Sequence, residues 1–190
     1  MLNYLLVFHL YFVYEMKEHK HLCEFLNRQA YIDLNDTELV NTPELKLWIR
    51  WGSMLNSNYL VVKGRYIFTG DISLDKFTSL LNEKRIQWDH NVIEYEMVKR
   101  VLADVQVVRY VTEAPSPFSL PTEYVEKHIR FKHNAVRYGY CSSVPDKIYP
   151  VKKGYTRGTT IFAGSILKHE ERVTVYNSFS QVQLNVWYLV

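Results

Sequence analysis

The sequence predicts an α+β domain built on one large antiparallel sheet, with a helix in front and a helical pair inserted after the first strands. Three observations carry that expectation. The apolar period changes from three-to-four to two near residue 44 and stays there for most of the remaining chain. Residues 73–88 interrupt it once with helical spacing. The later strands then follow one another across turn-rich links, as in an antiparallel meander.

Residues 4–30 contain no Pro or Gly, and Leu22, Phe25 and Leu26 recur at helical spacing, so this stretch reads as helix. Asn35 to Pro43 reads as a polar break. The stretch "LKLWIRW" (45–51) sets Leu45, Leu47, Ile49 and Trp51 against Lys46 and Arg50, the pattern of a half-buried strand. Gly52 to Asn58 is a turn cluster, and residues 59–72 form a second strand in which Gly64 marks a bulge. Ser73 caps a helix that buries Leu74, Phe77, Leu80 and Leu81. After Asp89 alternation returns, with Ile93, Tyr95 and Met97 on one face and Glu94 and Glu96 on the other. Further strands are expected at 104–113, 122–132, 135–144, 157–168 and 172–186. A sheet of this size, interrupted once by helices, tends to curl around a helix, a ligand or both. Residues 1–43 thus form an apolar helix and a polar break, and residues 44–190 the sheet domain.

Composition narrows the function. A chain of 190 residues suits one domain, and a net charge of +3 is too small for a nucleic-acid footprint. The 15% aromatic share, with 15 Tyr, favours a lined cavity or an interface. Two cysteines make no disulfide framework, which fits a cytoplasmic protein. The opening "MLNYLLVFHLYFVYEM" is too short to span a bilayer. It reads first as a buried or interfacial helix. An uncleaved anchor and a signal peptide, which would open a secretory route, stay as alternatives, although no cation precedes it and no small-x-small site follows.

Chemical motifs are sparse. The sequence has no G-x-S-x-G elbow, H-E-x-x-H pair, Walker loop or G-x-G-x-x-G. "KKGYTRGTT" lacks P-loop spacing and reads as a solvated hairpin turn. His19, His21 and Cys23 are metal-type side chains, but on a helix position 21 points away from the other two. Ser142 and Ser143 have no neighbouring His. Asp89, after Trp88, has no partner set for catalysis or metal binding. A structural corner suits it better, with Trp88 buried under the sheet and Asp89 accepting backbone N–H groups. No catalytic residue, metal site or cofactor is assigned.

Lys84, Arg85, Trp88 and Asp89 precede an alternating hairpin, then Pro115, Pro117 and Phe118, then Pro121, Glu123, Tyr124 and Val125. In this order, and followed by "YGYCSSVPDKIYPVKKGYTRGTTIFAG", they resemble the StAR-related lipid transfer (START) domain over residues 45–186. The look is closest to members like the phosphatidylcholine transfer protein. The resemblance implies a helix-grip fold, in which a curved sheet wraps a long C-terminal helix and the gap holds one lipid. Two departures stand out. The sequence given ends at "LNVWYLV", where the family's lid helix would begin. Sterol-binding members carry an acid on the strand before the Pro-x-Pro loop, paired with an Arg on the next strand. Here those strands offer Arg109 and His128.

The resemblance therefore implies a lipid-binding or transfer module that favours a phospholipid over a sterol and touches a membrane surface transiently. The expected lipid contacts are Ile93, Tyr95, Met97, Val107, Arg109, Tyr138, Tyr140 and Phe162. Arg109 has two readings, inward as a phosphate anchor or outward in an ion pair with Glu94 or Glu96. Phe118 and Leu120 are expected to dock on the membrane. A helix-grip enzyme with an acid–base pair inside its cavity, and an incomplete fragment that binds nothing, are the rivals.

Overall fold

The computed structural model describes residues 19–32, 35–52, 59–70, 72–82 and 84–183. The apolar opening, the side chains of His19 and His21 and the segment 184–190 lie outside the described residues. Helix α1 spans His19–Ala30, helix α2 spans Leu74–Leu80, and a 3-10 turn covers Arg85–Gln87. The strands are β1 (Thr37–Asn41), β2 (Leu45–Trp51), β3 (Leu60–Thr69), β4 (Val92–Arg100) and β5 (Val105–Thr112). They continue with β6 (Thr122–His133), β7 (Val136–Ser143), β8 (Thr156–Arg157), β9 (Thr159–Glu170) and β10 (Val173–Gln183).

All ten belong to one sheet ordered β1-β2-β3-β10-β9-β7-β6-β5-β4, with β8 added in parallel beside β6. The order decides where the helical pair must go. β3 lies beside β10, while β4 occupies the far edge, so the link from β3 to β4 has to cross the sheet. It crosses on one face, where Phe77 of α2 packs its ring 5.0 Å from Phe68 and 5.4 Å from Tyr176. Ser73 accepts the Lys76 amide at the helix start, and Leu81 N–H returns to Phe77 to close it. We call this the α2 face.

Helix α1 occupies the other face. Cys23 and Leu26 are buried there with Ile129, Phe131, Tyr138, Phe162, Ile166 and Phe179. The approach is close enough to require Gly164, because a Cβ there would meet the Phe179 ring at 2.3 Å and Leu26 at 2.8 Å. This dry cluster of rings is the main core. Burying each such side chain is worth roughly 1.5–3 kcal/mol.

The structure corrects five expectations. The polar break contains strand β1, an edge strand whose polar side chains face water while its backbone pairs with β2. In β2 the buried residue is Trp48, not the 45–47–49–51 set, because α1 sits on the Trp48 side and leaves Trp51 75% exposed. Gly64 is no bulge: β3 pairs through it without a register shift, and a Cβ there would strike the Tyr66 ring at 2.7 Å. The residues of "KKGYTRGTT" are not a solvated hairpin, since Thr156–Arg157 pairs with β6 and Arg157 is buried against Glu123 at 3.1 Å. Finally, β4 carries register shifts between Val92 and Glu94 and between Met97 and Lys99. The first of these takes Ile93 out of the face shared by Tyr95 and Met97.

Candidate functional site

Two adjoining pockets open on the α2 face. The larger, about 640 Å³, is walled by Tyr66, Phe68, Phe77, Leu80, Trp88 and Tyr176, with Arg85 as its cation. The smaller, about 240 Å³, carries the polar side chains of His128, Arg130, Cys141 and Ser165 among its apolar lining. Leu81, Tyr176 and Ser178 line both.

The stretch Arg85-Ile86-Gln87-Trp88-Asp89 builds one wall. Arg85 Nε donates to Asp89 Oδ2 at 2.8 Å, and Asp89 Oδ1 accepts the Asn91 amide at 3.2 Å. The Arg85 guanidinium lies 5.0 Å from the Tyr110 ring centroid, a cation–π contact. Trp88 Nε1–H donates to the Leu80 carbonyl at 2.6 Å. Trp88 is 46% exposed, so its ring is not buried under the sheet as expected; it stands at the pocket rim, half in water.

The smaller pocket rests on β6, where Glu126, His128 and Arg130 alternate onto one face. Glu126 is buried and accepts hydrogen bonds from Tyr110 Oη at 2.9 Å and from the Thr160 hydroxyl. His128 Nε2 lies 2.7 Å from the second Glu126 oxygen, and Arg130 Nη2 lies 2.5 Å from His128 Nδ1. A guanidinium only donates, so Nδ1 accepts and Nε2 carries the hydrogen that reaches Glu126. Burial holds the imidazole below its ordinary pKa, and the Glu126 contact only partly offsets this. Burial also opposes ionisation of Glu126, but hydrogen bonds from His128, Thr160 and Tyr110 outweigh it and keep the carboxyl below the usual range. The Cys141 thiol is pushed well up by burial and by the Glu126 charge, so it stays protonated.

Glu126, His128 and Cys141 bring three metal-type ligand atoms within 4.8 Å of one another. They do not fit a metal. A cation on His128 Nε2 would need the hydrogen on Nδ1, pointing head-on at the Arg130 N–H. Nor is Cys141 an activated nucleophile, since the nearest charge disfavours its thiolate.

The eight expected lipid contacts are not brought together. Tyr95 and Met97 lie on the α2 face, opposite Tyr110 and Val108. Tyr138, Tyr140 and Phe162 pack in the core beneath α1, although Tyr138 and Tyr140 also line the smaller pocket, and Val107 belongs to a small cluster with Val125 and Val144 on that same side. Arg109 also lies on the α1 face. It is 5% exposed, with Nε 2.6 Å from Glu123 and Nη1 2.7 Å from Glu94. Strand parity groups residues by face but does not say which face carries the pocket. Arg85 and His128, which do line the pockets, escaped the expected set. The signal for His128 was present: Glu126, His128 and Arg130 at i, i+2 and i+4 in a strand must share a face.

The loop after β5 is tied by Ser116 and Ser119, whose hydroxyls lie 3.1 Å apart. Phe118 is 77% exposed and Leu120 is also exposed, so neither folds back onto the core.

With this geometry in hand, comparison with solved structures is decisive for the architecture. Human StAR-related lipid transfer protein 5 superimposes with a TM-score of 0.75 at 15% identity, over 90% of this chain and 83% of that one. The chain has the helix-grip fold of StAR-related lipid transfer domains. Human STARD10 matches this helix-grip chain with a TM-score of 0.72 at 18% identity, over 84% of it and 65% of its own length. A STAR-related lipid transfer protein from Xanthomonas axonopodis gives 0.63 at 17% identity, over 82% and 85%. No family model and no curated protein matches the sequence. Among the described residues no helix is long and apolar enough to cross a membrane.

Proposed function

We propose that this chain binds a single lipid in the α2-face pocket and carries it between membranes, and that the lipid is a glycerophospholipid. The observation that carries the reading is an aromatic pocket of about 640 Å³ with one cation, Arg85, on its wall. Acyl chains leaving water gain about 0.8 kcal/mol per CH₂, which supplies affinity without fixing the headgroup. A phosphodiester needs a cation, and Arg85 offers a planar fork held in place by Asp89. Arg85 takes this role rather than Arg109, which lies behind the sheet with Nε on Glu123 and Nη1 on Glu94. Phe118 and Leu120 would touch the bilayer during exchange.

A second reading has one observation in its favour. The Glu126–His128 pair is an acid–base couple whose His128 lines the smaller pocket, with Glu126 buried behind it, and an enzyme on this fold would need such a couple. One experiment addresses both readings. Native mass spectrometry after incubation with phosphatidylcholine vesicles should show one lipid of unchanged mass on the wild type. Arg85→Leu should lose that adduct at least tenfold while unfolding at a similar temperature. A bound lipid of altered mass would favour the enzyme, and an equally loaded Arg85→Leu would remove Arg85 from the site.

A further inference from the structure

A third pocket, about 330 Å³, lies on the α1 face beside the end of α1, away from the lipid pocket. Its buried side chains are Trp48 and Lys63, and Lys46, Arg65 and Asn177 line it too. The β-sheet register explains the crowding. Lys46 on β2 pairs directly with Arg65 on β3, and Arg65 pairs on its other side with Asn177 on β10. Two cations thus stand directly opposite each other, an arrangement that destabilises a sheet unless an anion sits between them.

The acids nearby do not supply that anion. Lys63 is already spoken for: its ammonium bonds Asp36 at 2.7 Å and the Tyr31 carbonyl at 2.7 Å, which ties the end of α1 to the sheet. Arg65 reaches Glu170 only at 3.4 Å, and Glu170 is held more tightly by Lys168 at 2.5 Å. Among the described residues Lys46 has no ion pair, and Glu44, the next acid along this face of the strand, pairs with neither cation. Arg65 and Lys168 therefore share one carboxylate, and Lys46 has none among the described residues.

We infer that this pocket binds a phosphate monoester, with the Arg65 fork and the Lys46 ammonium on the phosphate oxygens and the Asn177 amide as a neutral donor. A pocket lined by an indole and by Ala30 and Ile32 leaves room for a small carbon group on the phosphate. The shared chemistry belongs to soluble phosphorylated metabolites and to monoester lipid headgroups alike, and the test separates them.

The full chain would be titrated calorimetrically with glycerol 3-phosphate and with sodium sulfate, and sedimented with phosphatidic acid vesicles. Glycerol 3-phosphate should bind, more tightly than sulfate, and the affinity should fall at least tenfold in both Lys46→Gln and Arg65→Gln. Lys147→Gln makes the same charge change in a distant loop and should leave binding intact. Because they relieve a like-charge pair, the two pocket variants should unfold at the same temperature as the wild type or above it. Phosphatidylcholine loading should be unchanged in both, so failure here is distinguishable from failure of the lipid reading. Binding of the soluble ester without vesicle sedimentation assigns a metabolite. Sedimentation that glycerol 3-phosphate competes away assigns the lipid headgroup. No binding, equal binding of sulfate, an equal loss in Lys147→Gln, or variants less stable than wild type would each overturn the assignment.

Discussion

The two faces of this sheet are made from the same strands and do opposite things. On the α1 face, Phe162, Phe179, Ile129 and Tyr138 close against Cys23 and Leu26, and polar groups there occur in paired networks such as Arg109–Glu123–Arg157. On the α2 face, rings at Tyr66, Phe68 and Tyr176 meet only a seven-residue helix and a 3-10 turn, and the space left over is pocket. Period-two alternation sends every second side chain to each face, so the packed core and the proposed lipid pocket are built from interleaved residues. Substitutions on one face should therefore read out differently from those on the other.

The largest effect is expected at the centre of the α1 face. Phe162→Ala empties a fully buried ring site in contact with Phe25, Tyr140 and Phe179. The expected loss is about 3–5 kcal/mol, measured by urea denaturation. Lipid loading per folded molecule should stay at the wild-type level. If a mildly destabilised Phe162→Ala lost its lipid selectively, the division between the faces would fail.

Arg109 sharpens the comparison with charge in place of bulk. Arg109→Leu leaves Glu123, 1% exposed, with Arg157 as its remaining cation, and leaves Glu94 partly in water. A cost of about 2 kcal/mol is expected, because a buried carboxylate loses a charge-assisted hydrogen bond. Phospholipid loading should not change. Loss of loading at unchanged stability would return Arg109 to the lipid site.

What the sequence disclosed and what it hid follow one physical line. Strands β2 to β7, β9 and β10 were legible because alternation and turn chemistry are local properties, whereas the two-residue β8 was not. The resemblance carried by Arg85, Trp88, Asp89 and the Pro-x-Pro loop led to the right fold. The assignment of faces was not legible. Parity says that Val107 and Arg109 point the same way as each other, but only packing by α1 says which way that is. A single unpaired residue at Ile93 also shifts the parity of Glu94 to Met97, and the second register shift, before Lys99, changes it again. Strand β1 was hidden because an exposed edge strand needs no apolar alternation. Glu126 was visible as part of a strand triplet, yet nothing local marks a carboxylate as buried.

The α2 face should also reveal itself through pH. The His128 pKa is lowered on folding, so near the ordinary imidazole value the unfolded chain binds more protons than the native one. Stability is therefore full above about pH 6.5 and declines as pH falls from there toward the folded value. Glu126, also lowered, adds a second decline below its ordinary value of 4.5. In His128→Gln the upper decline should shrink, while the lower one persists. Melting temperatures from pH 8 to about pH 3 would show this, and a profile identical to wild type would mean that the imidazole is not held neutral by its burial.

The smallest effect on stability is expected where neither face is involved. Phe118 projects from the loop between β5 and β6 and makes no contact with the core clusters. The loop's shape is set by the Ser116–Ser119 hydrogen bonds and by Pro115, Pro117 and Pro121, so it does not depend on the ring. Phe118→Asp should thus shift unfolding by no more than about 0.5 kcal/mol, as for other exposed positions. Its effect on exchange should be out of proportion to that. A ring at the end of a stiff loop can enter the interfacial layer of a bilayer, and a carboxylate there is both poorly solvated and repelled by anionic lipid. Transfer of a fluorescent phospholipid between vesicles should slow severalfold, with loading at equilibrium unchanged. Transfer at the wild-type rate would take Phe118 out of the exchange step, and a large loss of stability would mean that the loop belongs to the core after all.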